Sequence, residues 1–333
     1  MNKKQAWVLA AVLVVIGIVA ALESSSSRPL PAPIPIVIAR LRAPISGLVD
    51  IAIAKDYFAA EGLSATIQSP ALGYDAIQAV LQGNADVGTT AETPIAKVLL
   101  EGRQLKIVGS IFNSVEDPGI VGRRDRGVIQ PKDLKGKRIG IVAGTASHYL
   151  LETFLAYHRI PLEDVTLVQI KPDQLVSALV SGEVDAEAVW HPFLYQVQQQ
   201  LGERAEYFST SGIYSFNFNL VVRSDYAQLH REAIDRLLRA LLKAEAFAAK
   251  HPDEAMTIIA SASGTDIAAL RANWNPLAYE VTLNQSLLLA TESEARWILR
   301  RGFVPAGSVP DVLNAFEIEP LRALKPSGVS IVK

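Results

Sequence analysis

The residues best placed to do chemistry in this 333-residue chain form one stretch, Gly144-Thr145-Ala146-Ser147-His148-Tyr149. An apolar run, "IGIVA", breaks at this glycine-marked turn, and a helical pattern opens at His148. A strand feeding a polar turn at a helix start presents unpaired N–H groups and a positive dipole end. Thr145, Ala146 and Ser147 can therefore cradle an anion there. A histidine in such a place is also a candidate acid or base. Ser147 and His148 are adjacent, however, so they cannot face each other as nucleophile and base. The histidines (148, 158, 191, 230 and 251) show no metal-ligand spacing, and no G-x-S-x-G elbow, P-loop or H-E-x-x-H occurs. With no cysteine in the chain there are no disulfides, thiolate nucleophiles, cysteine-based zinc sites, iron–sulfur clusters or lipidated cysteine. The sequence points to binding rather than catalysis, with no metal and no cofactor.

The length suits two domains better than one core. Half the residues are apolar and a fifth are charged, so the chain folds. A formal charge of −2 argues against a nucleic-acid partner. The one basic run, "GRRDRG" (Arg123, Arg124, Arg126), contains an acid and reads as a solvated loop. At the N-terminus Lys3 and Lys4 precede the uncharged apolar stretch Ala6 to Leu22. Residues 1–22 are expected to be a signal peptide, with Ala20 and Ala21 near the cleavage site, or an uncleaved membrane anchor. "SSSSRPLPAP" then reads as a polar linker over 23–34.

From Ile34 short apolar runs alternate with helical periodicity, and the rhythm restarts at "RIGIVAG". This predicts two α/β units, each a mostly parallel sheet flanked by helices. "AVLQGNADV" (79–87) aligns with "ALVSGEVDA" (178–186) at one constant offset, pairing Gly83 with Gly182 and Asp86 with Asp185. Each glycine is expected to cap a helix in the left-handed conformation. Each aspartate is expected to hold the turn into the next strand. Further on, "REAIDRLLRALLKAEAFAAKH" places Ile234, Leu237, Leu238, Leu241 and Leu242 on one helical stripe, with an Asp235–Arg239 pair on the outer face. "NQSLLLATESEARWILRRG" is a second long helix, closed by Gly302.

"AIAKDYFAAEGL", "GNADVGTTAETP", "KDLKGKRIGIVAGTASHYLLETFL" and "SGEVDAEAVWHP", in this order, resemble the substrate-binding proteins of ABC importers. The group most similar binds nitrate, sulfonates, taurine and thiamine precursors. The resemblance implies a two-lobed, hinged type II periplasmic-binding-protein-like fold. Lobe I would comprise 35–122 and 221–333, and lobe II 123–220, with crossings near Gly122 and Leu220. Ligand would lie between the lobes at the strand ends. It further implies a periplasmic monomer that delivers a small molecule to membrane permease subunits and touches the membrane itself only if residues 1–22 stay attached.

On that frame the site candidates are the strand-end turns. Ser46 either donates to a ligand oxygen or caps its helix. Tyr74 walls the pocket or packs on the surface. Thr90 is the expected lobe-I contact. Glu92 either welcomes an amine or a ring N–H, or complements its helix dipole while facing solvent. Thr145 and Ser147 would hold an anionic group. His148 is either a ligand contact or a packed histidine. Trp190 stands where the family has a stacking tryptophan. His191 departs from the acid or amide often found there, and Asn217 or Asn219 would bring an amide to the cleft. Because no arginine is aimed at the site, an organic anion with an apolar body, such as a sulfonate or carboxylate, fits better than nitrate. A pyrimidine-like ring is the second choice. The rivals are an enzyme on the same fold, like the cysteine-dependent yeast pyrimidine-synthesis proteins and aromatic sulfinate desulfinases, and a membrane-tethered sensor.

Overall fold

The computed structural model describes residues 32–332. The expected signal or anchor segment, and nearly all of the linker, lie outside these residues. Among those described, no helix is long and apolar enough to cross a membrane.

Two five-stranded sheets make the two lobes. The first is laid down by β1 (Ile34–Ala39), α1 (Gly47–Ala54), β2 (Leu63–Gln68), α2 (Gly73–Leu81), β3 (Val87–Ala91), α3 (Glu92–Leu100) and β4 (Leu105–Ser114). The second contains β5 (Gly119–Arg123), β6 (Arg138–Ile141), α4 (Ala146–Tyr157), β7 (Thr166–Gln169), α5 (Leu175–Ser181), β8 (Ala186–Val189), α6 (Phe193–Leu201) and β9 (Ala205–Phe208). The chain then returns to the first sheet as β10 (Phe216–Arg223). It continues through α7 (Arg231–Lys250), α8 (Pro252–Ser263), α9 (Ile267–Ala272) and α10 (Gln285–Arg300), with a last short helix over Ile318–Leu324.

The sheets run in the orders β2-β1-β3-β10-β4 and β7-β6-β8-β5-β9. Each is mostly parallel, as expected, with one strand reversed. β1 pairs parallel with β2 and β3, but β10 runs antiparallel between β3 and β4. In the second sheet β6 pairs parallel with β7 and β8, while β5 runs antiparallel between β8 and β9. The reversed strands are those that carry the chain across, because a strand arriving from the other lobe meets its new sheet from the opposite end. The crossings are residues 115–118 and 209–215, a few residues before the expected positions. Gly122 lies inside β5 and Leu220 inside β10. The crossings are tied to each other: Glu116 Oε1 accepts from the Ser209 hydroxyl at 2.9 Å, and Thr210 donates to the Val115 carbonyl at 2.9 Å.

The internal repeat is visible atom by atom. Asp86 N–H donates to the Val37 carbonyl at 2.8 Å, and Asp86 Oδ2 accepts from Val37 N–H at 2.7 Å. Asp185 does the same with Arg138, at 2.8 and 3.0 Å. The preceding glycines are left-handed, with φ 78° at Gly83 and 80° at Gly182, a conformation that costs a residue with a Cβ.

Two expectations about charge change. Arg123 is buried, not solvated. Its Nη1 donates to the Leu179 and Val180 carbonyls at 2.7 and 2.8 Å, closing the end of α5, and Asp125 neutralises it. Asp235 pairs with Arg231 at 2.9 Å rather than with Arg239, which reaches Glu61 at 2.6 Å. The α7 stripe itself is buried at Ile234, Leu237, Leu238 and Leu241, with Leu242 at its edge.

Candidate functional site

In lobe I the end of β3 delivers Thr89, Thr90 and Glu92. Thr89 Oγ1 accepts from Leu41 N–H at 2.8 Å, which ties the exit of β1 to β3. Thr90 faces the start of α2, where a Cβ on Gly73 would come within 2.6 Å of its hydroxyl. That hydroxyl is fully buried and has no protein partner. Ser46, at the start of α1, is likewise buried, and it neither caps the helix nor finds another partner.

Glu92 faces neither solvent nor an open cleft. Oε1 accepts from the Asn217 backbone at 2.9 Å and from its amide at 3.3 Å. The Tyr214 hydroxyl next to it donates to Glu294 Oε1 of α10 at 2.9 Å. Burial lifts Glu92 to about 7 despite its hydrogen bonds. Burial and the Glu92 charge together hold Glu294 well above the carboxylate range. Burial and like charge thus push both carboxyls toward the neutral form. The amides are spent internally as well: Asn217 Nδ2 also donates to the Ser215 carbonyl at 3.1 Å, and Asn219 Nδ2 to the Asn217 carbonyl at 3.0 Å. Tyr74 sits under Lys97, whose Nζ is 4.6 Å from the ring centre.

In lobe II, Thr145 caps α4. Its hydroxyl donates to the Val142 carbonyl at 2.7 Å and accepts from His148 N–H at 3.4 Å. With that proton used, the 3.0 Å contact between Thr145 and Ser147 has Ser147 as donor. The His148 ring turns to lobe I. Its centroid is 5.1 Å from that of Trp297 and 5.8 Å from that of Phe303, Nδ1 accepts from Gly144 N–H, and Nε2 is 3.0 Å from Glu152. Glu152 also accepts from Trp297 Nε1 at 2.9 Å and pairs with Arg301 at 3.1 Å. Burial raises this carboxyl, but the His148 and Trp297 hydrogen bonds and the Arg301 charge outweigh it and hold Glu152 below its usual range. His148 thus braces α4 against α10.

A cavity of about 690 Å³ lies between the lobes beside the crossings. Ile45, Phe112, Asp117, His191, Tyr207 and Tyr279 are among its walls. None of Ser46, Thr90, Glu92, Thr145, Ser147, His148, Trp190 or Asn217 lines it, but near neighbours of three do: Ile45, His191 and Ser215. Trp190 packs edge-on against Phe193 at 5.6 Å. His191 N–H donates to Asp117 Oδ1 at 3.2 Å. Burial, the largest influence, raises the Asp117 carboxyl, against the pull of His191. Sequence reasoning missed Phe112, Asp117 and Tyr279. The signal available for Asp117 was "NSVEDPG", an Asp-Pro turn between two strands. It also missed Arg40, which stands just past the end of β1, although its Nε is held by buried Asp50 Oδ1 at 2.6 Å. Burial lifts Asp50 to about 7 even so.

The chain is 28% identical over 233 residues to a putative binding protein of Brucella abortus, covering 68% of this chain and 70% of that one. It is 25% identical to a putative aliphatic sulfonates-binding protein of Bacillus subtilis, over 64% of each. Its fold matches the alkanesulfonate-binding protein SsuA of Xanthomonas axonopodis pv. citri, solved with MOPS, at a TM-score of 0.73 and 20% identity, over 86% of this chain and 99% of that one. It also matches the desulfurization enzyme DSZB, at 0.63 and 17%, over 87% and 98%, so the fold alone does not separate receptor from enzyme. The architecture is the type II periplasmic binding fold. Residues 46–255 match the family described as NMT1/THI5 like, and the chain belongs to that family.

Proposed function

We propose that the chain is the extracytoplasmic receptor of an ABC importer, which binds a small organic solute between its lobes in the periplasm and delivers it, as a monomer, to the membrane permease. The observation that carries this reading is the interlobe cavity beside the two crossings, large enough for a small organic molecule. The relatives are named as binding proteins, and the chain has no cysteine. The name of the Bacillus subtilis relative makes a sulfonate or taurine-like solute one candidate; a pyrimidine-like ring is another.

Native mass spectrometry of the exported chain tests the reading. The expected result is a small molecule retained without covalent attachment, released on unfolding and chemically unchanged after long incubation. Sustained conversion of that molecule by the pure chain would overturn the receptor assignment in favour of an enzyme.

A further inference from the structure

The charge inside the cavity runs against the solute class carried by the names of the relatives. Apart from the tyrosines Tyr207 and Tyr279, the ionisable groups on its walls are Glu116, Asp117 and His191; no lysine or arginine lines it among the described residues. Glu116 is exposed and already accepts from Ser209 and Thr210. Asp117 is different. It is buried, Oδ1 accepts only a backbone N–H from His191, and no lysine or arginine pairs with it. Around it the cavity offers the aromatic surfaces of Phe112, Tyr207 and Tyr279, with the Phe112 and Tyr279 rings edge to face at 5.1 Å. The two features an anion would need lie elsewhere: the N-terminal turn of α4 does not reach this cavity, and Arg40 is occupied by Asp50.

A buried carboxylate beside aromatic faces is the arrangement that stabilises an ammonium group. The carboxylate meets the charge and the ring faces attract it further. The same carboxylate repels a sulfonate or nitrate most strongly where water is excluded. Accepting the receptor reading above, on which this inference rests, we propose that the interlobe cavity takes a small organic cation, a protonated or quaternary amine with an apolar body, with Asp117 as its counter-charge and Phe112 and Tyr279 as its apolar wall.

A charge series on one body tests this. Benzylammonium, benzyltrimethylammonium, benzyl alcohol and phenylmethanesulfonate are titrated calorimetrically into the purified chain after removal of any retained solute. Both cations should bind about tenfold or more tighter than the alcohol, and the sulfonate should not bind measurably. Asp117→Asn should lower cation affinity about tenfold while moving the alcohol by less than about twofold. Should that variant lack the native near-ultraviolet circular dichroism, Phe112→Leu decides, and is expected to weaken benzyltrimethylammonium several-fold more than the alcohol. A sulfonate that binds as well as either cation, cations no better than the alcohol, or cation binding indifferent to the variants would overturn the proposal. Those outcomes leave the receptor reading intact, because it falls only on turnover of the retained molecule.

Discussion

Asp50, Glu92, Glu187 and Glu294 are carboxyls buried deeply enough to couple their protonation to folding. Glu187 is the clearest case. Both its oxygens lack partners, and burial, aided by the Glu183 charge, lifts it from 4.5 to about 9. In that window the folded chain holds a proton that the unfolded chain has released. Stability therefore falls as pH rises from about 4.5 to about 9 and levels off above. Glu187→Gln removes this contribution. The variant is expected to match the parent near pH 5 and to exceed it on the order of 1–3 kcal/mol near pH 9, less than the full shift because the site relaxes around a buried charge. Urea unfolding at several pH values is the check, and curves that stay parallel across the range would show that Glu187 is not the group responsible. Nothing in the sequence announced this residue: "VDAEAVW" reads as a strand, and only the sheet shows that its glutamate points into a core.

At the scale of elements, the sequence was most legible where local rules act. The glycine caps and the aspartate turns of the two repeats follow from residues a few positions apart, and Val37 and Arg138 complete the same pair of hydrogen bonds in both lobes. Pairing between distant elements was not legible. Gly140 is an example: it lies beside Glu187 across the β6–β8 pair, and a Cβ there would come within 2.7 Å of Glu187 Cγ. Gly140→Ala should destabilise lobe II by about 1–3 kcal/mol through overpacking, and Glu187→Ala in the same chain should restore part of the loss. Additive losses in thermal unfolding would contradict the contact. The brace between α4 and α10 is a second example. Trp297→Phe removes the N–H that Glu152 accepts, at a cost of about 1 kcal/mol. Glu152→Ala leaves Trp297, His148 and Arg301 without their shared partner and should cost more. A double-mutant cycle by urea unfolding measures the coupling, and a value near zero would mean the brace is solvated.

For the whole molecule, the two-lobed plan came from the restart of the βαβ rhythm, and the candidate stretches came from strand ends. The stretches "APIS", "VWHP" and "YSFNFN" do reach the interlobe cavity, but through Ile45, His191 and Ser215 rather than Ser46, Trp190 and Asn217. Ile45 and Ser46 share one short turn before α1, and Trp190 and His191 lie just past the end of β8, so which side chain of each stretch meets the cavity is set by tertiary packing rather than by a local period. Phe112 and Tyr279 are far apart in the chain and meet only through tertiary packing. The remaining question at this scale is how the lobes are delivered. On the proposed receptor reading the chain must be exported, and Lys3 and Lys4 ahead of the apolar stretch Ala6 to Leu22 would supply the signal for that. The stretch is long for a signal core and short for a span, so cleavage rests on the small residues Ala20 and Ala21 and on the polar serine run behind them. The mature chain is expected to begin between Ala21 and Ser27. Intact mass of the chain recovered from a periplasmic extract settles it. A mass that includes Met1 to Leu22, with the protein in the membrane fraction, would replace the freely diffusing receptor with a tethered one, whose ligand-bound lobes could signal to a neighbouring protein instead of shuttling solute.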